Sequence, residues 1–126
     1  MSDREKAISA FCKLRRLQEA SNLGYVRCVT CGRVMRWTQC DGGHMVPRRF
    51  RGTEVEHDNV WPQCVVCNRF GNISQEEYER TLVGLIGQDR VAAVLARKDM
   101  YERKDYSLLK KQYEASIRSI RKEKGL

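Results

Sequence analysis

Two C-x-x-C pairs, Cys28-Val-Thr-Cys31 and Cys64-Val-Val-Cys67, constrain this chain more than any other feature. In each pair a tight turn lets two thiolates approach one ion. Two such turns complete the four-thiolate tetrahedron that Zn²⁺ favours. Residues 32–63, which separate the pairs, must then leave the first turn and return to the second. A structural zinc contributes about 10–16 kcal/mol in zinc-finger peptides near neutral pH. The middle of the chain has few large apolar residues and needs such a staple. Cys12 reads as a packed thiol on a helix. Cys40 is an alternative to one knuckle cysteine, at a spacing that fits less well.

Metal ligation is the preferred use of the six cysteines because the compartment reads as reducing. The opening "MSDREKAISAFCKLRR" is charged throughout and lacks the apolar run of a signal peptide. No stretch approaches the roughly 20 apolar residues that span a bilayer. The expected location is the cytoplasm, that of a bacterial host if the gene belongs to a phage or prophage. Formal charge is +8, from 24 Lys and Arg against 16 Asp and Glu. That balance suits a polyanionic partner, nucleic acid before a membrane surface.

The ends of the chain have helical periodicity. Ile8, Phe11, Leu14 and Leu17 recur every three or four residues and predict one apolar helix face. Between about residues 25 and 67 the pattern breaks into short runs punctuated by Gly, Pro, Asp and Asn, as in small strands and loops. A helix restarts at Ser74, where "SQEEY" predicts a capping box with Glu77. A shorter helical run surrounds Val91, Val94 and Leu95. Tyr106, Leu109, Tyr113, Ile117 and Ile120 then trace a stripe for a last helix, which packs either on the first helix or on a partner chain. The expected fold class is α+β, in one domain over residues 1–126. It comprises an N-terminal helix (1–24), a zinc-bound core (25–73) and C-terminal helices (74–126).

The polar residues around the knuckles exceed what a plain zinc ribbon requires. Asp41 and His44 precede Pro47, Asn59 precedes "WPQC", and Asn68 directly follows the second knuckle. Taken in order, "GHMVP", "DNVWPQC" and "CVVCN" resemble the HNH, or His-Me finger, nucleases. In that family a two-stranded hairpin and a helix, the ββα-metal unit, present a His, an Asn and a last ligand around one divalent ion. A closing Asn is the variant of endonuclease VII-type phage resolvases. The set "FCKLRRLQ", "CVTCG", "CDGGH", "DNVWPQCVVCN", "GN" at 71–72 and the Tyr, Leu and Ile-Gly of 78–87 is similar to the NinG/Rap family of lambdoid-phage recombination nucleases, over roughly residues 8 to 120. Two departures stand out. The family's cysteine-bearing N-terminal extension has no counterpart here, so the chain reads as little more than the nuclease core. Gly43 also stands directly before His44, where many HNH proteins carry a ligand, which leaves Asp41 as the carboxylate.

The resemblance implies a metal-dependent DNA endonuclease acting on branched recombination intermediates such as Holliday junctions, with 5′-phosphate and 3′-hydroxyl products. His44 is the candidate general base, since an imidazole near its ordinary pKa can deprotonate water at neutral pH. Asp41 and Asn68 offer hard oxygens for Mg²⁺ or Mn²⁺, which keep open positions for phosphate and water. Asn59, by the same resemblance, orients His44. Arg48, Arg49 and Arg51 are candidate phosphate contacts. A homodimer would suit cutting of two symmetry-related strands.

Each assignment has a structural alternative. Asp41 can simply shape the Asp-Gly-Gly turn, Asn59 an Asx turn, and Asn68 a helix N-cap. His44 can be a plain loop histidine, and the three arginines a solvated loop. His57 reads as exposed. Trp37 and Trp61 read as core residues in preference to stacking platforms for unpaired bases. Two other functions fit part of the pattern. One is an HNH restriction or homing nuclease, for which no base-reading module is visible. The other is a non-catalytic zinc-ribbon DNA-binding protein, which leaves Asp41, His44 and Asn68 without a shared purpose.

Overall fold

The computed structural model describes every residue of the chain except Asn72. The Asn of the Gly71-Asn72 motif therefore lies outside the described residues. Helix α1 (Asp3–Glu19) leads into the hairpin β1 (Tyr25–Arg27) and β2 (Val34–Arg36). A second antiparallel pair follows, β3 (Asp41–His44) and β4 (Val60–Gln63), running directly into the short helix α2 (Val65–Arg69). Helices α3 (Gln75–Ile86), α4 (Gln88–Arg97) and α5 (Tyr106–Lys124) complete the chain. The class is α+β, as expected. No helix among the described residues is long and apolar enough to cross a membrane.

Helix α1 starts at a reciprocal capping box that the sequence reading passed over. Ser2 Oγ accepts from the Glu5 amide at 3.1 Å, and the Ser2 amide donates to Glu5 Oε2 at 3.2 Å. The box expected at Ser74 is half formed. Ser74 caps α3 by accepting from the Glu77 amide, but the Glu77 carboxylate accepts from the Ser74 hydroxyl instead of reaching back to its amide. The predicted stripe of α1 is buried as expected: Ile8 and Leu17 are fully enclosed, and Phe11 and Leu14 nearly so. A fully buried side chain of this kind contributes about 1.5–3 kcal/mol.

Of the two docking partners left open for the last helix, α5 takes α1, and the two run side by side in parallel. Phe11 meets Tyr113 with ring centroids 5.1 Å apart, and Ile117 packs in one cluster with Leu14, Leu17, Val26 and Trp37. At their common C-terminal end, Lys124 Nζ donates to the carbonyls of Leu17, Gln18 and Ala20 at 2.9, 3.0 and 2.6 Å. A cation is well placed there, because the last carbonyls of a helix lack intrahelical donors. A second cluster joins β3–β4 to α3 and α4 through Val46, Trp61, Tyr78, Leu82, Val91 and Val94.

Both tryptophans are core residues, 7% and 6% exposed. Cys40 lies in the α1–α5 cluster with Trp37 and is not one of the four converging cysteines. Arg15 is the most unusual core residue. Fully buried, it donates to the carbonyls of His57 and Val60, pairs with Glu19 and stacks 4.6 Å over the Trp61 ring. It thereby ties α1 to the start of β4.

Candidate metal centre and polar cleft

The four knuckle cysteines converge. The sulfurs of Cys28, Cys31, Cys64 and Cys67 all lie within 4.8 Å of one another, and Cys31 and Cys64 are 3.8 Å apart. The first pair sits on the turn after β1 and the second opens α2, where Cys64 Sγ caps the helix by accepting from the Cys67 amide. Burial pushes the Cys28 thiol up, but a hydrogen bond from Thr30 and backbone amides outweigh it and bring the group down to about 6. Burial and the adjacent sulfurs push Cys67 up to about 12. Four sulfurs at this spacing fit a tetrahedral zinc, whose charge would hold all of them as thiolates.

A separate cleft of about 510 Å³ opens between α1, β3 and α2. Asp41, Arg48 and Asn68 line it, together with Cys12, Arg16 and Arg69. Asp41 and Asn68 are in contact, with Asn68 Nδ2 donating to Asp41 Oδ2 at 2.9 Å. Asn68 is the fourth residue of α2 and not its N-cap, a place that Cys64 holds. Arg69, which the sequence reading did not single out, donates from Nε and Nη2 to the two oxygens of Asp41, each at 2.8 Å. These bonds hold the Asp41 carboxyl below the usual carboxylate range. As a cation ligand Asn68 would present Oδ1, and a half-turn of its amide brings that oxygen to the place of Nδ2.

The two glycines of "DGGH" are explained by what lies against them. A Cβ at Gly42 would stand 2.7 Å from the Cβ and 2.9 Å from the Cα of Cys12, so α1 could not approach β3 as it does. A Cβ at Gly43 would meet the buried side chain of Gln63. The Gly43 carbonyl also accepts from the Tyr78 hydroxyl at 2.8 Å. Close packing on both faces of β3 thus excludes larger side chains at the two positions before His44.

His44 sits at the edge of this cleft and not in its lining. It shares a strand face with Gly42, two residues away, and residues so spaced are roughly 7 Å apart. The ring Nε2 lies 2.9 Å from the Glu54 carbonyl oxygen. A carbonyl only accepts, so Nε2 carries the proton and Nδ1 is left with its lone pair. Burial holds the imidazole below its ordinary pKa, and the Arg48 and Arg4 guanidiniums add to that against the pull of Glu54.

The loop that supplies this carbonyl is fixed by buried polar groups. Asn59, fully buried, accepts from the Val46 amide at 2.8 Å and donates to the carbonyls of Val46 and Thr53 at 3.1 and 2.9 Å. It therefore joins the residues after His44 to the residue before Glu54. The Glu54 side chain is itself fully buried and accepts from Arg4 Nε at 2.7 Å, Lys104 Nζ at 3.2 Å and the Tyr106 hydroxyl. Sequence reading missed Glu54, and no local pattern marks it, because its partners come from residues some fifty positions away on both sides. Of the three candidate phosphate contacts, Arg48 lines the cleft. Arg49 stacks over Phe50 and Arg51 over Tyr101, at 4.7 and 5.7 Å, and neither lines it. His57 is exposed, as expected, and bonded to Asp58, but it opens a short 3-10 turn (His57–Asn59) instead of lying in a loop.

A small α+β protein with a four-cysteine cluster fit for a metal, beside a separate cleft where Asp41 meets Asn68, is what these residues define. The chain belongs to the family described as Bacteriophage Lambda NinG protein, whose family model matches residues 1–123. Comparison with curated proteins and with solved structures found no match.

Proposed function

We propose that this chain is a metal-dependent DNA endonuclease of the HNH type that hydrolyses phosphodiesters in branched recombination intermediates. The observation that carries this reading is the arrangement of β3, β4 and α2. One hairpin and one helix bring Asp41 and Asn68 into contact, and the same strand carries His44 three residues after Asp41, at the edge of the cleft. On this reading β3–β4–α2 is the ββα-metal unit, and the four cysteines staple it from below.

In the reaction His44 Nδ1 takes a proton from water as the water oxygen bonds to phosphorus, and the bond from phosphorus to O3′ breaks. A Mg²⁺ or Mn²⁺ ion held by Asp41 and Asn68 would neutralise charge on the phosphate and on the departing O3′. Asn59 and the Glu54 carbonyl keep the His44 ring in the tautomer that the proton transfer needs. Arg48 lines the cleft, its charge acts on the His44 ring, and its guanidinium would be offered to a phosphate oxygen. Branched DNA as the substrate rests on family membership, and a two-fold dimer would let two chains cut symmetry-related strands.

The test is cleavage of a four-way junction, a flap and a linear duplex in Mg²⁺ or Mn²⁺. His44→Ala should slow cutting about 10²- to 10⁴-fold while zinc content stays unchanged and circular dichroism shows the chain still folded. Binding without metal-dependent cutting by folded wild-type protein would overturn the enzyme reading. Cutting linear duplex at one sequence would replace the junction substrate with a restriction-type one.

A further inference from the structure

A second groove, of about 470 Å³, runs between α1 and α5 on the exposed side of their contact. Lys6 and Lys13 enter it from α1, and Lys110, Arg118 and Arg121 from α5. Its only acidic lining residue is Glu114, already paired with Lys110 at 3.1 Å. The side chains of Lys6, Lys13 and Arg118 form no ion pair or hydrogen bond among the described residues, and all three are exposed. Like charges gathered along a concave surface repel one another and favour an external polyanion.

The position of this groove selects the polyanion. Met1 and Ser9 line both this groove and the cleft that holds Asp41 and Asn68, so the two are continuous across the outer face of α1. A strand with one phosphate in the cleft is led into the groove without leaving the protein surface. From Lys110 to Arg121 the helix rises about 16 Å, roughly five nucleotide steps at 3.4 Å per strand. A narrow concave tract suits a sugar-phosphate backbone better than the plane of a bilayer.

The geometry points to the α1–α5 groove as a second backbone-binding tract, which holds the phosphates of a duplex arm beyond the cutting site. It rests on the nuclease reading for its ligand and extends it: Arg48 would act at the scissile phosphate, and this groove would hold a separate arm. The tract reads no bases, since Lys and Arg contacts to phosphate position without specifying sequence.

The experiment uses the full zinc-loaded chain with His44→Ala, so that binding can be followed in Mg²⁺ without cutting. A fluorescent four-way junction is titrated over a series of KCl concentrations, with and without the added changes Lys6→Ala, Lys13→Ala and Arg118→Ala. Alanine favours helix at these exposed positions, and circular dichroism verifies the fold. The triple change should weaken binding at least about tenfold and lower the salt slope by about 2 to 3, near 0.9 per lost phosphate contact. Unchanged affinity and slope would overturn the groove while leaving the cleft reading intact. No junction binding by the folded parent would overturn both. Phosphatidylserine vesicles run in parallel: vesicle binding lost in the triple variant, with junction binding unaffected, would reassign the groove to a membrane surface.

Discussion

The thiolate cluster and the polar cleft share α2, which carries Cys67 and, directly after it, Asn68. They are nonetheless built by opposite means. The cluster draws its four ligands from two short local turns, so spacing alone determines it. The cleft takes Asp41 from β3, Asn68 and Arg69 from α2, and Arg16 from α1, with His44 of β3 at its edge. It then depends on a buried network around Glu54 and Asn59 that touches almost none of the putting-together of the zinc ligands. A soft site needs ligands of one kind at close range. On the proposed reading the cleft also needs a lone pair on one chosen nitrogen, and orienting that nitrogen recruits distant parts of the chain.

Removing a thiolate should therefore damage both sites, and this is the largest expected effect. Cys64→Ser loses a zinc ligand while its hydroxyl can still cap α2. A centre that contributes on the order of 10 kcal/mol matches the whole stability of a typical domain, so cooperative thermal unfolding should disappear. A cooperative melt in the zinc-free variant would show that the cores hold the fold without the metal.

Damage to the positioning network should separate the two sites. Asn59→Ala leaves the Val46 amide and carbonyl unpaired, while the Thr53 carbonyl keeps the Glu56 amide, and should cost about 2–3 kcal/mol. Glu54→Ala, which strands Arg4 and Lys104, should cost about 3 kcal/mol. Chemical denaturation gives both values. In each variant the zinc should stay bound, while the nitrogen chemical shifts of His44 should report loss of the single Nε2–H tautomer. Unchanged shifts would mean that the Glu54 loop does not orient the ring.

Gly42→Ala should have a smaller effect, about 1–3 kcal/mol from overpacking against Cys12, with zinc content unaffected. Smaller again is the pH response. The His44 ring is neutral when it acts as a base, so cleavage should fall as pH drops through a value below 6.5 and level off above it. The same depressed pKa links to stability. The contribution of the buried neutral ring is full above about pH 6.5 and is lost as pH falls through the folded-state value, because the unfolded chain takes up the proton first. A rate that rises only above neutral pH would point to a different base. The least disruptive change is Arg69→Ala, which removes a cation competing for Asp41. It should tighten Mn²⁺ binding severalfold and leave the melting temperature where it was.

The same contrast explains what could be read without coordinates. The cysteine spacing, the stripes of α1 and α5 and the cap at Ser74 are local patterns, and the structure bears out all of them but the second half of that cap. Asp41, His44 and Asn68 stand out through family resemblance, and the contact of Asp41 with Asn68 depends on the register that pairs Asp41 with Gln63. Glu54, Arg15 (on the basic face expected of α1) and Arg69 all read as surface residues, as a charged residue does in sequence. Only tertiary partners reveal that the first two are buried and that the third holds Asp41. The glycines before His44 looked like missing ligands, whereas packing against Cys12 and Gln63 excludes a side chain at both.

The division into a soft structural centre and a hard reactive one is tested most directly by titrating Mn²⁺ into the zinc-loaded chain and following electron paramagnetic resonance. One Mn²⁺ should bind per chain with zinc content unchanged, and Asp41→Ala should abolish that binding without releasing zinc. Mn²⁺ binding that survives Asp41→Ala, or that occurs only as zinc leaves, would contradict the account.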